Sequence, residues 1–359
     1  MNHFARLNDV TLVKDMIKEI REFEQEVKIM EVCGTHTRAI VESGIAKLLP
    51  DNIALISGPG CPICVTTQDY IDKAVELAHR DNVIITTFAD LIKVAGTNTS
   101  LKQSKALGGD IIIVSSPLEA VKVAQQNPNQ EVVFLAIGFE TTAPIIALSI
   151  MKADRLKLEN YSILLALKTM PAVIEELILD KEVAIDGFIC PGHVSVITGA
   201  KEFNFIANKY NLPAVVAGFE RIDIIMALAR LLQMIDNGIS RVDNLYNRVV
   251  KVEGNLKAID VMNQTFKVED STWRGLGKIE KSGLMLRNKY RKFDAKNKFQ
   301  IKLVYQDQSS ICSCGDILKG KKSPVDCDLF AEGCTPLNPK GPCMVSEEGS
   351  CNVYYEYRR

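Results

Sequence analysis

The residues predict an α/β protein of two similar parallel-sheet domains around a cleft, followed by a smaller metal-binding domain at the C-terminal end. Three observations lead there. Short β-branched apolar runs alternate with helix-like stretches as far as about residue 248. Reactive side chains gather just past the ends of those runs. Six of the ten cysteines lie between Cys312 and Cys351.

Val10–Val27 carries Val10, Val13, Ile17 and Ile20 at three- and four-residue steps, the period of an amphipathic helix. IALIS (Ile53–Ser57), NVIITT (Asn82–Thr87), DIIIVS (Asp110–Ser115) and EVVFLAI (Glu131–Ile137) are continuous and bounded by turn residues, as strands buried on both faces must be. Gln68–His79 and Leu118–Gln125 read as helices between them. Further strands are expected at Ser162–Ala166, Gly187–Cys190 and Ala214–Ala217. Gly138-Phe139-Glu140 and Gly218-Phe219-Glu220 each follow a strand and open a helix, an echo that would suit two related halves. The expected division is an N-terminal helix at 1–30 packed on the C-terminal domain, α/β domains at 31–140 and 141–248, and the metal domain at 249–359.

A chain of 359 residues with 47% hydrophobic content can fill two or three ordinary cores. Lys and Arg number 43 against 44 Asp and Glu, and no basic block stands out, which argues against a nucleic-acid groove. The first twenty residues mix charge with apolar side chains and lack a signal peptide's apolar core. No apolar run approaches the roughly 18 residues that a membrane span needs, so a cytoplasmic protein is expected. In that reducing compartment cysteines serve as metal ligands or working redox thiols rather than as staples.

The tail reads Cys312-x-Cys314, Cys327, Cys334, Cys343 and Cys351, with gaps of 12, 6, 8 and 7 residues after Cys314. Structural zinc usually takes ligands as C-x₂₋₄-C pairs, and no such pair occurs here. Wider spacings suit a larger iron–sulfur cluster whose thiolates arrive from different directions. Six cysteines are two more than one cubane needs. A zinc site with spare thiols is the plainer alternative.

A second site is expected at the strand ends, where open parallel sheets bind ligands. There stand Ser57-Gly58-Pro59-Gly60-Cys61-Pro62-Ile63-Cys64, Gly138-Phe139-Glu140-Thr141-Thr142 and Pro191-Gly192-His193-Val194-Ser195, with Glu31–Thr37 able to close the same cleft. Cys61-x-x-Cys64 has the spacing of a dithiol that cycles to a disulfide, and a helix starting near Thr66 would favour its thiolate. It could equally be half a zinc site. Cys33 and His36 offer a thiolate and an imidazole suited to iron. Singly, Cys33 could be a structural cysteine, His193 a satisfied loop histidine, and Glu140 a helix-capping residue. Their joint placement sets them apart.

The blocks EVCGTHT (31–37), GPGCPICVT (58–66), GFETTAP (138–144), PGHVS (191–195), GFE (218–220), WRGLG (273–277), CSCGDILKG and CTPLNPKGPCMVSEEGSC resemble, in order and over nearly the whole chain, the HypD family of hydrogenase maturation proteins. The resemblance implies two α/β domains around a cleft and a C-terminal [4Fe–4S] domain. It implies a role in building the Fe(CN)₂CO moiety of [NiFe]-hydrogenases with a small HypC-type chaperone and a HypE-type cyanide donor. Carried over, Cys312, Cys327, Cys334 and Cys351 would hold the cubane, and Cys314 and Cys343 would form a neighbouring redox pair. That pairing is similar to ferredoxin–thioredoxin reductase. Cys61 and Cys64 would be a second pair, and Cys33 the thiolate of a transient mononuclear iron, with His36, Glu140 and His193 beside it. Where many relatives carry a histidine and a second proline, this chain has Leu167 and Ala172, so no role is assigned there. The expected chemistry is a redox relay from the cubane through Cys314–Cys343 to Cys61–Cys64. The rival reading is a freestanding disulfide reductase, which would need neither Cys33 nor His36.

Overall fold

The computed structural model describes residues 10–304 and 312–357. Residues 1–9 of the expected N-terminal segment lie outside that range. Two all-parallel sheets and one antiparallel hairpin form the frame. In chain order the elements of the first half are α1 (Val10–Arg21), β1 (Val27–Glu31), α2 (Gly34–Ser43), β2 (Ile53–Ser57), α3 (Gln68–Ala78), β3 (Val83–Thr87), α4 (Leu101–Ala106), β4 (Ile111–Ile113), α5 (Pro117–Gln126), β5 (Glu131–Gly138) and α6 (Ala143–Arg155). Then come β6 (Tyr161–Leu167), α7 (Met170–Leu179), β7 (Gly187–Cys190), α8 (Gly192–Thr198), α9 (Asn204–Tyr210), β8 (Ala214–Val216), α10 (Arg221–Asp236) and β9 (Val242–Asn244). Helix α11 (Leu256–Thr265) leads into the hairpin β10 (Phe266–Trp273) and β11 (Gly277–Leu286). Short helices α12 (Ala295–Lys298), α13 (Cys314–Leu318), α14 (Pro342–Val345) and α15 (Ser350–Tyr357) complete the described chain.

The first sheet runs β2-β1-β7-β8-β9 and the second β4-β3-β5-β6. The chain therefore starts in one sheet, crosses to the other, and returns. Units at 31–140 and 141–248 are not what forms: β5 and β6, placed apart by that division, are hydrogen-bonded neighbours from Val132↔Tyr161 to Gly138↔Leu167. Strand β7 comes back to pair with β1 at Ile29↔Gly187 and Glu31↔Ile189. Side chains alternate along these strands as a buried pleat requires. Ile29, Ile189 and Val215 face a layer made by α1, α2 and α10, while Met30, Phe188 and Val216 join a central core shared with the second sheet. From the second sheet Val133, Leu135 and Ile137 enter the same central core, and Val132, Phe134 and Ala136 pack under α5 and α6.

Helix α1 packs on α10, not on the C-terminal part. Its apolar stripe, Val13, Met16, Ile17 and Ile20, joins Ile224, Leu228 and Leu232, and Gln233 donates to Glu19 at 3.0 Å. Residues 249–359 are not a separate domain either. The hairpin flanks the second sheet, with Phe266, Leu284 and Leu286 in its outer core and a bridge from Lys168 to Gly283. The tail from Cys312 instead covers the first sheet, where α15 lies along α2 and Arg38 donates to the Tyr357 hydroxyl at 2.8 Å.

The single tryptophan secures the hairpin. Trp273 is fully buried, donates from its indole to Ser282 at 2.8 Å, stacks on Phe139 at 5.8 Å, and lies under the Lys168 ammonium at 5.2 Å. Trp273→Ala should cost about 3–5 kcal/mol of stability, read as a lowered denaturant midpoint.

Candidate functional site: a cavity at Cys33 and a file of thiols

The carboxyl ends of β1, β2, β5 and β7 meet. Val32 and Cys33 after β1, Gly60 and Pro62 after β2, Phe139 and Thr141 after β5, and His193 after β7 line a cavity of about 410 Å³, closed by Glu348 of the tail. The backbone holds the walls together: Gly58 N–H donates to Glu31 O at 2.7 Å and Gly34 N–H to Gly60 O at 3.3 Å.

Cys33 precedes α2 and takes no side-chain capping bond. Its own N–H donates to Glu31 Oε2 at 2.9 Å. Burial, then the carboxylates of Glu348 and Glu31, push its thiol up to about 12. Glu31 is itself fully buried and pushed up to about 7 by burial, against hydrogen bonds from Thr37, Cys33 and Ser57. Glu348 accepts from Thr35 Oγ1 at 3.1 Å and is also raised, chiefly by burial. Neither carboxylate was singled out from the sequence, although both lie inside quoted blocks. Their signal was an acidic residue in an otherwise apolar or glycine-rich turn.

His36 does not join the cavity. Its Nε2 lies 3.0 Å from Gly218 O and 3.3 Å from Ala217 O, and burial pulls its pKa down to about 4. Phe219 is sandwiched between it at 4.7 Å and His193 at 4.1 Å. His36 is a neutral packing residue, and His193 is the imidazole exposed in the cavity. Glu140 also turns elsewhere: its Oε1 accepts Met170 N–H at 2.9 Å, burial pushes it up to about 7, and it lines a different cavity.

Cys61 and Cys64 form a tight turn in which Cys64 N–H donates to Cys61 Sγ at 3.2 Å. The expected helix starts only at Gln68, so no helix N-terminus favours their thiolates. Burial pushes the Cys64 thiol well above its ordinary value, opposed by a hydrogen bond with Cys343. Cys343 Sγ in turn lies 3.1 Å from Cys314 Sγ, and the Cys314 side chain is hydrogen-bonded to that of Cys312. Cys61, Cys64, Cys343, Cys314 and Cys312 thus stand in file. The hairpin turn braces this file, Arg274 N–H donating to Val65 O at 3.0 Å.

At its end, burial and then repulsion from Cys312, Cys334 and Cys327 raise the Cys351 thiol, so these four converge. Lys340 N–H donates to Cys334 Sγ at 3.2 Å, and a Cβ on Gly341 would come within 2.6 Å of Cys312 Sγ. Four soft donors in a glycine-lined cradle, one already hydrogen-bonded at sulfur, are a donor set that fits a cubane. Among the described residues no group of three or more His, Cys, Asp or Glu stands ready for a single metal ion. No helix among them is long and apolar enough to cross a membrane. Cys190 is fully buried at the end of β7 and belongs to the core.

Fold and site together define an α/β protein with a cavity at Cys33 and a cysteine-rich tail packed against it. The family model described as HypD, hydrogenase formation hypA family, matches residues 10–358. A hydrogenase expression/formation protein of Methanocaldococcus jannaschii is 44% identical over 98% of this chain and 99% of its own. The hydrogenase maturation factor HypD of Escherichia coli is 41% identical over 97% and 95%, and that of Rhodobacter capsulatus 40% over 99% and 98%. The chain belongs to the HypD family of hydrogenase maturation factors.

Two outcomes follow for the cavity. Glu348→Gln removes one carboxylate facing Cys33, so iodoacetamide should label Cys33 several-fold faster at pH 8, read by peptide mapping of the metal-free protein. Glu31 binds its proton more tightly in the folded protein, at about 7, than an ordinary glutamate does at 4.5. Stability carried by that proton is full below 4.5 and declines as pH rises to 7. Thermal melts across that window should show a flatter slope for Glu31→Gln than for the parent.

Proposed function

We propose that this maturation factor works as a redox-active assembly scaffold. With a small HypC-type chaperone it holds an iron substrate at Cys33 while diatomic ligands, cyanide coming from a HypE-type donor, are attached toward Fe(CN)₂CO. The observation that carries the reading is the file of thiols from the tail to the cleft. Without Cys343 between Cys314 and Cys64, the tail and the cavity would have no exchange route.

Cys312, Cys327, Cys334 and Cys351 would hold a [4Fe–4S] cluster, which when bound supplies electrons one at a time from an external one-electron donor protein. The chain's own part is thiol–disulfide exchange. The Cys343 thiolate attacks Cys64 of a Cys61–Cys64 disulfide, forming the Cys343–Cys64 bond as Cys61 leaves and takes a proton. Cys314, giving up its proton, then attacks Cys343 and releases Cys64, which is protonated in turn. The cleft dithiol is then reduced by two electrons and Cys314–Cys343 is oxidised. Burial disfavours the Cys64 thiolate, and neighbouring thiols together with burial disfavour those of Cys314 and Cys343, so exchange starts only when a neighbour takes the proton. In the cavity, the Cys33 thiol would bind iron on losing its proton, for which Glu31 and Glu348 are the adjacent acceptors. His193 is placed to contact whatever iron carries.

The closing test is anaerobic. The parent protein should be brown and contain iron and acid-labile sulfide, and Cys327→Ala should lose both. Cys343→Ser should keep the colour, yet fail to reduce Cys61–Cys64 when dithionite is added, as scored by differential thiol alkylation. Reduction at the parent rate would remove the relay. Cys33→Ala separates the rival disulfide reductase: it should abolish hydrogenase maturation while leaving Cys61–Cys64 reduction unchanged, whereas a freestanding reductase would leave both untouched.

A further inference from the structure

A second cavity, of about 500 Å³, opens between α7, α9, α11 and the hairpin. Neighbouring residues of one loop serve the two cavities. Phe139 and Thr141 line the one at Cys33, and Glu140 between them lines the other. Glu140 is 3% exposed, and only one of its oxygens is used, by Met170 N–H. Its Oε2 is buried with no hydrogen-bond partner. A buried carboxylate oxygen in that state is costly and asks for a donor.

Glu202 adds a second carboxylate to the same walls, and its charge bears on Glu140. Among the described residues neither has an ion-pair partner within 4.0 Å, whereas Glu175 on the same wall is held by Lys209 and Tyr210. The rim cation Lys281 acts on Glu175. The same walls carry apolar side chains, among them Phe205, Met262 and Leu284.

We propose that this cavity binds an organic cation, its N–H head group against Glu140 and Glu202 and its apolar part against Phe205, Met262 and Leu284. A guanidinium suits the walls best: it is planar, donates in parallel, and is weakly enough hydrated to sit beside apolar surface. The head group comes either on a free small molecule or on an arginine side chain of a bound chain. The site owes nothing to the thiol file, so it stands or falls separately from the maturation reading.

Agmatine is the free probe and acetyl-Gly-Arg-Gly-amide the presented one, each titrated calorimetrically into the full-length protein at neutral pH and low salt. At least one should bind saturably with one-to-one stoichiometry. Binding of agmatine alone assigns a small-molecule ligand, and binding of the peptide alone assigns a presented arginine. Glu202→Gln, at the rim, should weaken binding at least about tenfold, and Ala172→Phe should abolish it by filling the cavity. Glu140→Gln is read beside them only if its melt matches the parent. The proposal is overturned if neither probe binds saturably, or if Glu202→Gln and Ala172→Phe both bind as the parent does.

Discussion

Strand β1 is buried on both faces and must be covered on both edges, and the molecule is organised around meeting that need. Lys28 N–H and the pairing of Ile29, Met30 and Glu31 with β7 close one edge, and β2 closes the other. Because β7 arrives only after four strands have been laid down in a second sheet, the chain passes through that sheet and returns. Parallel strands reached this way all point the same direction, so their carboxyl ends deliver Cys33, Pro62, Phe139 and His193 to one place. The catalytic-looking neighbourhood is a by-product of covering a five-residue strand.

The same burial sets the chemistry. In a dry cavity charge is disfavoured, so carboxylates and thiols keep their protons at pH values where water would strip them. Cys33 and Glu31 are both in that condition, and the Glu31 carboxylate adds to the burial that holds the Cys33 proton. A metal cation reverses the balance by displacing the thiol proton and compensating the nearby negative charge. The cavity is therefore ill suited to an unbound thiolate and well suited to one that is shared with a cation.

Much of the frame was legible from residues alone. Ile53–Ser57 and Gly187–Cys190 appear as strands with the expected ends, because continuous β-branched runs bounded by turn residues leave little choice. Strand β1 was absorbed into the preceding helix, since Lys28 interrupts a short run and Val27 fits the helical period too. The hairpin read as irregular because its outward side chains are charged and Lys281 takes a left-handed φ of 53°. The domain division failed for a different reason: which strand pairs with which is a long-range property, and periodicity carries no information about it. At the site, residue type found every cysteine, but could not tell that His36 and Glu140 face away from Cys33. Direction depends on which backbone carbonyls or amides are within reach, and Gly218 and Met170 were distant in sequence.

Gly34 sits directly under the tail, where a Cβ would meet Glu348 O at 2.4 Å and Glu348 Cβ at 2.6 Å. The turn that carries Cys33 and the loop that leads to Cys351 are thus in van der Waals register, one leaning on the other. Any loosening of the tail would take Glu348 with it and leave the cleft without a wall. Ordering the tail and closing the cleft are then one thermodynamic event, and anything that steadies the tail against Gly34 also completes the wall beside Cys33.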